Sequence, residues 1–338
     1  MIFIWIKYKS FVKLLAYKIY RLVEEYKMKM HVFLINLLLV MGVYGDVRDP
    51  MHDYISGDAF RSIAKYIYEE NGAYGKNSGV KLDPRIFKNS PGDIVFVQAS
   101  FLDFFIKNIH PKIPNPYILI THNGDDIVDE RYLSFLLDPK IIKWYSQNVD
   151  IDNEKIVPIP IGIENRFWYF KRTVNDNLIA QINVKNVTRN ALTYLNITPA
   201  TFQEERQYVL DFFQNRPFVN QLQSRDYKDY LLDLKSHTFC LSPSGNGLDC
   251  HRTWESLYMG CIPIVRPFVK PTMKLAVGND SMYKDLPVIV VDHWSEVTAD
   301  FLEEKLLEFR EKKFDYSKLY FSYWKTMILK EAKKVKNH

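Results

Sequence analysis

His251, Arg252 and Glu255 fall at positions i, i+1 and i+4 of one short stretch, so on a helix they share a face. Arg252 could donate a charge-assisted fork to a diphosphate. Glu255 has two acceptor oxygens, which suit a vicinal diol, and His251 could donate to a phosphate. The stretch is SPSGNGLDCHRTWESLYMGCIPIV, residues 242–265. Ahead of the helix stands a Gly-rich loop. Gly245 and Gly247 would allow unusual backbone conformations and close approach of a ligand. Ser242 and Asn246 join them as polar loop residues. Free N–H groups and the helix dipole at such an elbow favour an anion. Asp249 reads as the N-cap that holds the elbow in shape. Trp254, Leu257 and Tyr258 point the other way and should pack into a core. Gly260 should end the helix in the left-handed region, and Pro263 should fix the strand that follows.

The elements that must position this stretch alternate in type. Apolar runs at 93–98, 116–123, 155–163, 191–197, 237–241, 261–265 and 287–292 read as buried strands. Prolines place the 155–163 run at a sheet edge. Helices are expected over 101–109, 130–147, 202–214 (opened by Thr201 and Glu204), 226–235, 250–259, 296–312 and 317–334. Strand, helix, strand implies parallel pairing with crossovers. The polar, Asn-rich stretch 171–190 reads as a junction between two α/β units. Residues 46–185 form the first unit and 186–338 the second, with the last helix able to return to the first. Ligands in such sheets lie beyond the carboxyl ends of the strands. On that rule His122, Asp125 and Glu164 of the first unit are candidate proton acceptors at a cleft. Each also has an ordinary reading, as a strand-end hydrogen-bonder, a turn residue or an exposed charge.

Composition sets outer limits. A chain of 338 residues with 47% hydrophobic side chains can bury two cores. Its net charge of +5 is local: residues 1–30 carry seven Lys/Arg against two Glu, and the rest is balanced. A balanced body lacks the basic stripe of a nucleic-acid binder. Cys240, Cys250 and Cys261 have neither zinc-site spacing nor the number for a disulfide framework, and read as small buried fillers. The apolar run 31–45 follows Lys27 and Lys29. It fits a signal-peptide core or a short signal-anchor, with a buried segment of a cytoplasmic protein as the alternative. Sequons at Asn186, Asn196 and Asn279 are compatible with a lumenal location. No phosphate-binding Gly-x-x-x-x-Gly-Lys-[Ser/Thr] loop occurs, and the Asp125-Asp126 pair does not make a clear Asp-x-Asp metal motif, so neither a metal nor another cofactor is expected.

The run FCLSPSGNGLDCHRTWESLYMGCIPIV, about 27 residues, resembles the donor motif of exostosin-like glycosyltransferases. The likeness is strongest to the variant with a Ser-Pro-x-Gly-Asn-Gly-x-Asp-x-His-Arg-x-Trp-Glu core. THNGDD and KIVPIPIGIENRFW resemble the acceptor half of such enzymes. The chain has Gly-Asn-Gly-Leu-Asp where a longer polar loop is usual. The resemblance implies an α/β GT-B fold, with two Rossmann-like domains facing across a cleft. It implies transfer of a sugar from a nucleotide-sugar donor to a hydroxyl of a glycan or glycoprotein, with inversion and without a metal. Glu255 would hold the ribose and Arg252 the diphosphate. The apolar segment 31–45 and the sequons point to the secretory pathway, in the Golgi or ER lumen, with a cytoplasmic location as the alternative. A nucleotide-binding phosphotransferase or hydrolase, or an inactive carbohydrate-binding protein, stays open as the alternative.

Overall fold

The computed structural model describes residues 52–70, 80–81, 84–165, 175–223, 225–266 and 280–336. The apolar segment 31–45 and the sequon at Asn279 lie outside them. Among the described residues no helix is long and apolar enough to cross a membrane.

In chain order the first half contains helix α1 (Gly57–Ser62) and strands β1 (Tyr66–Glu70), β2 (Val80–Lys81) and β3 (Asp93–Gln98). Helix α2 (Leu102–Asn108), β4 (Tyr117–His122), the single turn α3 (Leu133–Leu136), β5 (Ile141–Ser146) and β6 (Ile156–Pro158) follow. These strands form one sheet in the order β2-β1-β3-β4-β5-β6. All pairs are parallel except β1 with the edge strand β2. Every residue of β3 and β4 is buried, as both faces of a parallel sheet require. The period of two is visible in the packing. Val95, Val97, Tyr117 and Leu119 point to α2 and α3, while Ile94, Phe96, Ile118 and Ile120 point to the opposite face.

Sequence periodicity misassigned one element here. A helix was expected over 130–147, yet only a turn and a half forms. The chain stops at Asp138-Pro139 and leaves as β5, in the interior of the sheet. Proline disfavours helical backbone in the residue before it. Ile141, Ile142, Trp144 and Tyr145 are β-branched or aromatic and fit a pleated surface. Trp144 is fully buried, and its Nε1 donates to Thr121 Oγ1 at 2.8 Å.

The second half begins with α4 (Asn175–Asn183), inside the stretch expected to be an irregular junction. Its Ile179 and Ile182 are buried, so three-residue spacing supplies an apolar edge despite the polar composition. Then come β7 (Asn190–Leu195), α5 (Gln203–Phe212), β8 (Val219–Gln221), α6 (Tyr227–Ser236) and β9 (His237–Leu241). They are followed by α7 (His251–Tyr258), β10 (Ile262–Val265), α8 (Asp280–Tyr283), β11 (Ile289–Val290), α9 (Ala299–Glu311) and α10 (Phe321–Lys336). The five strands are parallel, in the order β11-β10-β9-β7-β8. Thr201 does not cap α5; Phe202 occupies that position without a side-chain bond.

Both halves belong to one compact unit, Pro50–His338. A single core joins them, running from Phe96 and Ile120 through Phe60 and Ile163 to Tyr194, Leu231 and Trp254. Helix α10 closes the chain against the first half: Phe321 meets Phe60 edge-on at 5.3 Å, and Ile328 is fully buried. The fold is α/β of GT-B type, two Rossmann-like sheets within one unit.

Candidate functional site

The central helix α7 forms where the spacing places it. Trp254, Leu257 and Tyr258 are buried, and burial of each such side chain is worth about 2 kcal/mol. Gly260 takes φ +70°, and the Cys261 N–H returns to the Ser256 carbonyl at 2.9 Å, closing the helix as expected. The N-cap position belongs to Cys250, not Asp249.

Asp249 has another task. Its carboxylate is buried and accepts four hydrogen bonds, from the Ile161 and Cys250 N–H groups, Trp254 Nε1 and the Tyr283 hydroxyl, at 2.7 to 2.9 Å. Burial pushes its pKa up, and these donors pull it back. With its acceptor sites committed to protein, Asp249 is a bolt between the halves and not a ligand for a donor.

The glycine loop is corrected in the same way. Neither Gly245 nor Gly247 has a positive φ. A Cβ on Gly247 would lie 2.6 Å from Asn148 Nδ2, and one on Gly245 would lie 3.0 Å from Arg206 Nη2. The close approach is made by protein side chains. Asn148 Oδ1 accepts from the Leu248 and Asp249 N–H groups at 3.0 and 3.3 Å, so these amides are not bare. Ser242 is buried, with its Oγ 2.9 Å from Thr253 Oγ1. Asn246 is exposed and donates to Asp125 Oδ2 at 3.2 Å, across the two halves.

A cavity of about 480 Å³ collects the remaining candidates. Glu164 enters from the turn after β6. Cys250, His251, Arg252 and Glu255 come from the loop and α7, and Arg206, Tyr227 and Tyr230 from the helices after β7 and β8. The second sheet, read from its edge as β8-β7-β9-β10-β11, reverses its strand order between β7 and β9. Asn196 and Thr198 follow β7, and Cys250 follows β9, so the cavity sits at the topological switch point. Its volume is that of a small-molecule site.

Three arginines line the cavity; Arg225 is ion-paired with Asp233 at 2.7 Å, which leaves two guanidiniums to consider. Arg206 is buried; its Nε donates to the Ser244 carbonyl at 2.9 Å and its Nη1 to the Thr198 carbonyl at 3.1 Å. Burial, and then repulsion from Arg252, lower its pKa. Arg252 Nη2 donates to the Asn196 carbonyl at 2.9 Å, while its Nε is buried with no hydrogen-bond partner. Burial acts to lower the Arg252 pKa, but Tyr230, Cys250, Cys240 and Glu255 outweigh it and raise the value. Among the described residues neither arginine has a carboxylate ion pair. Two neighbouring cations, Arg206 buried and Arg252 half-buried, neither ion-paired to a carboxylate among the described residues, form a site for a dianion.

Glu255 completes the floor of the cavity. Its Oε1 accepts from the Tyr227 hydroxyl at 2.8 Å and its Oε2 from the Tyr230 hydroxyl at 2.9 Å. A carboxylate oxygen can accept more than one bond, so each oxygen keeps capacity for a ligand hydroxyl. Burial, with the Glu255 charge beside it, holds the Tyr230 phenol well above its usual range.

His122 stays out of this assembly. It is buried: Nε2 donates to the Pro160 carbonyl at 3.1 Å, and Nδ1 accepts the Asn123 N–H at 2.8 Å. Desolvation lowers its pKa to about 4. With both nitrogens engaged it is not placed to take a proton from a ligand. Asp125 is exposed and faces Asn246 outside the cavity. Of the three expected proton acceptors, Glu164 alone lines it. Cys240 and Cys261 are buried fillers as expected, whereas Cys250 is half-buried at the cavity; all three are free thiols. Asn196 also lines the cavity, and its Nδ2 donates to Tyr194 at 2.9 Å, so a glycan there would fill the site. No group of metal-ligating side chains forms among the described residues.

Arg206, Tyr227 and Tyr230 carried no motif. The strand-end rule applied to β7 and β8 is the signal that would have found them, because each opens a helix just past a strand's carboxyl end.

No curated protein matches the sequence significantly. Among solved structures, a chain of the GtfA/B complex matches at 9% identity and a TM-score of 0.36, over 75% of this chain and 62% of that one. The chain thus spans less than two thirds of the length of that relative. The UDP-GlcNAc 2-epimerase of Methanocaldococcus jannaschii matches at 11% identity and a TM-score of 0.33, over 70% of this chain and 76% of the other. Residues 169–334, which contain β7 to β11 and nearly the whole cavity, match the family model described as the RXYLT1 C-terminal domain. That part of the chain, the half that carries the second sheet, is similar to the RXYLT1 C-terminal domain.

Proposed function

We propose that the protein transfers a sugar from a nucleotide-sugar donor to a hydroxyl of a glycan or glycoprotein acceptor, with inversion and without a metal. One observation carries this reading: buried Arg206 and half-buried Arg252, neither with a carboxylate ion pair among the described residues, face a switch-point cavity whose floor is Glu255. A diphosphate between the guanidiniums would neutralise both. Glu255 would receive the ribose hydroxyls, as the exostosin-like motif implies for that position. During transfer, negative charge grows on the departing phosphate oxygen, and preorganised cations act most strongly where charge develops. Glu164 brings the first half to the cavity, on the side from which an acceptor would approach.

Calorimetry with UDP, GDP and their sugars tests the reading. Binding in the micromolar range, weakened at least tenfold in both Arg252→Ala and Glu255→Ala, is the expected result. Absence of binding by every nucleotide would remove the basis for the assignment. Residence in the secretory pathway, anchored or processed through segment 31–45, is part of the same proposal. Asn186 is exposed and Asn196 is not free, so peptide mapping of secreted protein should find a glycan at Asn186 and none at Asn196.

A further inference from the structure

We infer that His251 is the proton acceptor of the transfer, a role separate from donor binding and resting on the function proposed above. Its Nδ1 lies 2.7 Å from the Gly162 carbonyl oxygen. A carbonyl can only accept, so Nδ1 carries the hydrogen and the neutral ring presents its lone pair at Nε2. No hydrogen bond engages Nε2 among the described residues, and the side chain lines the cavity.

The carbonyl that orients the ring is itself fixed. Gly162 has φ +66°, and a Cβ there would lie 2.2 Å from the Ile55 carbonyl oxygen. The Ile163 N–H donates to that same oxygen at 2.8 Å. The imidazole is thus held by the first half while its backbone belongs to the second. This is the pattern of an oriented base: one ring nitrogen bound by a fixed acceptor, the other open to the site. His122 shows the contrast, since both its nitrogens are consumed inside the protein.

The charged and titratable groups around His251 are Arg252 and Glu255 on its own helix, Cys250 and Asp249 just before it, Glu164, Arg206, Arg225, Tyr227 and Tyr230 around the cavity, and buried His122 behind the turn. In the step assigned here, the acceptor hydroxyl proton moves to Nε2. The acceptor oxygen bonds to the anomeric carbon as the bond from that carbon to the phosphate oxygen breaks. The electron pair leaves with the diphosphate, against Arg206 and Arg252. Atoms and charge balance without a further reactant.

The test separates the base from the bond to Gly162. In His251→Asn the side-chain amide can still donate to the Gly162 carbonyl but offers no basic nitrogen. The probes are UDP- and GDP-sugars, followed by calorimetry and by release of nucleoside diphosphate with water as acceptor, from pH 5 to 9, on the full chain. His251→Asn should keep the melting temperature and bind nucleotide within threefold of wild type. Its turnover should fall at least 100-fold, and the acidic limb of the pH–rate profile should vanish. Glu164→Gln should keep that limb. Unchanged turnover in His251→Asn, or loss of the limb in Glu164→Gln, overturns the assignment while leaving donor binding intact. So does a wild-type protein that binds nucleotide but releases none from any sugar. Failure of every nucleotide to bind overturns both this role and the reading it rests on.

Discussion

The parallel strands of the first sheet run β1-β3-β4-β5-β6 in chain order, whereas those of the second reverse between β7 and β9. In the second sheet the segments leaving β7 and β9 part company, and the gap holds Asn196, Arg206, Cys250 and Arg252. In the first sheet no such gap opens. Its strand ends are tied to one another: His122 to the Pro160 carbonyl and Thr121 Oγ1 to Ser146 Oγ at 2.6 Å. The first half therefore acts as a scaffold that aims groups of the second, and contributes one ionisable side chain, Glu164, to the cavity. Strand order decides which half holds the ligand, and hydrogen bonds from the glycine loop decide how firmly the halves are joined.

The strongest way to break that division is to cut the bolt. Asp249→Ala leaves the Trp254 indole, the Tyr283 hydroxyl and the Ile161 and Cys250 N–H groups without their acceptor. Loss of hydrogen bonds to a buried charge of this kind should cost about 4 kcal/mol. Urea unfolding would show it as a lower midpoint. A midpoint within experimental error of wild type would mean that the shared apolar core and the remaining cross-half hydrogen bonds, such as those of Asn148, hold the halves without Asp249.

His122 tests the scaffold half through pH. Its pKa falls from 6.5 to about 4 on folding, so the native ring is neutral in a window where the unfolded ring is charged. The unfolded chain then binds more protons, and stability falls as pH falls. The contribution is intact above 6.5, declines between 6.5 and about 4, and is spent below that. It amounts to about 3 kcal/mol at most. Stability measured across this window should lose close to one proton's worth of slope in His122→Gln. An unchanged slope would assign the acid sensitivity to other groups.

The second-sheet cavity should respond in the opposite way, in affinity more than in stability. Arg252→Lys keeps a charge but loses the fork, and should weaken nucleotide binding by about tenfold, or ~1.4 kcal/mol. Its urea midpoint should stay close to that of wild type. An equal loss of binding from substituting Asp125, outside the cavity, would blur the distinction between the halves.

What could be read from the sequence follows the same line. Periodicity located β3, β4, β9, α7 and β10, because continuous apolar runs and a strong amphipathic face leave little choice. It did not locate β5, where Trp144 and Tyr145 sit at spacings that also suit a helix and only the tertiary position, between β4 and β6, decides. Of the site, Arg252, Glu255 and His251 were legible because the motif concentrates them within five residues. Arg206, Tyr227 and Tyr230 were not, since strand order across 50 residues brings them there. Asp249 and Gly247 were noticed for the wrong reason. Their partners, Ile161 and Asn148, lie about 100 residues away, and a sequence read locally assigns a loop's polar groups to a ligand first.

Tyr227 provides the finest test of the comparison, because its hydroxyl occupies Glu255 Oε1, the oxygen also needed for a ribose. Tyr227→Phe removes one neutral-to-charged hydrogen bond at a half-buried site, worth about 1 kcal/mol of stability. The freed lone pair is then open to the ligand, so nucleotide affinity should stay within threefold of wild type or improve slightly. If affinity instead falls with stability, the tyrosine ring and hydroxyl are themselves contacts of the ligand. The cavity floor would then be a three-residue unit of Tyr227, Tyr230 and Glu255, in place of a carboxylate that its neighbours merely hold.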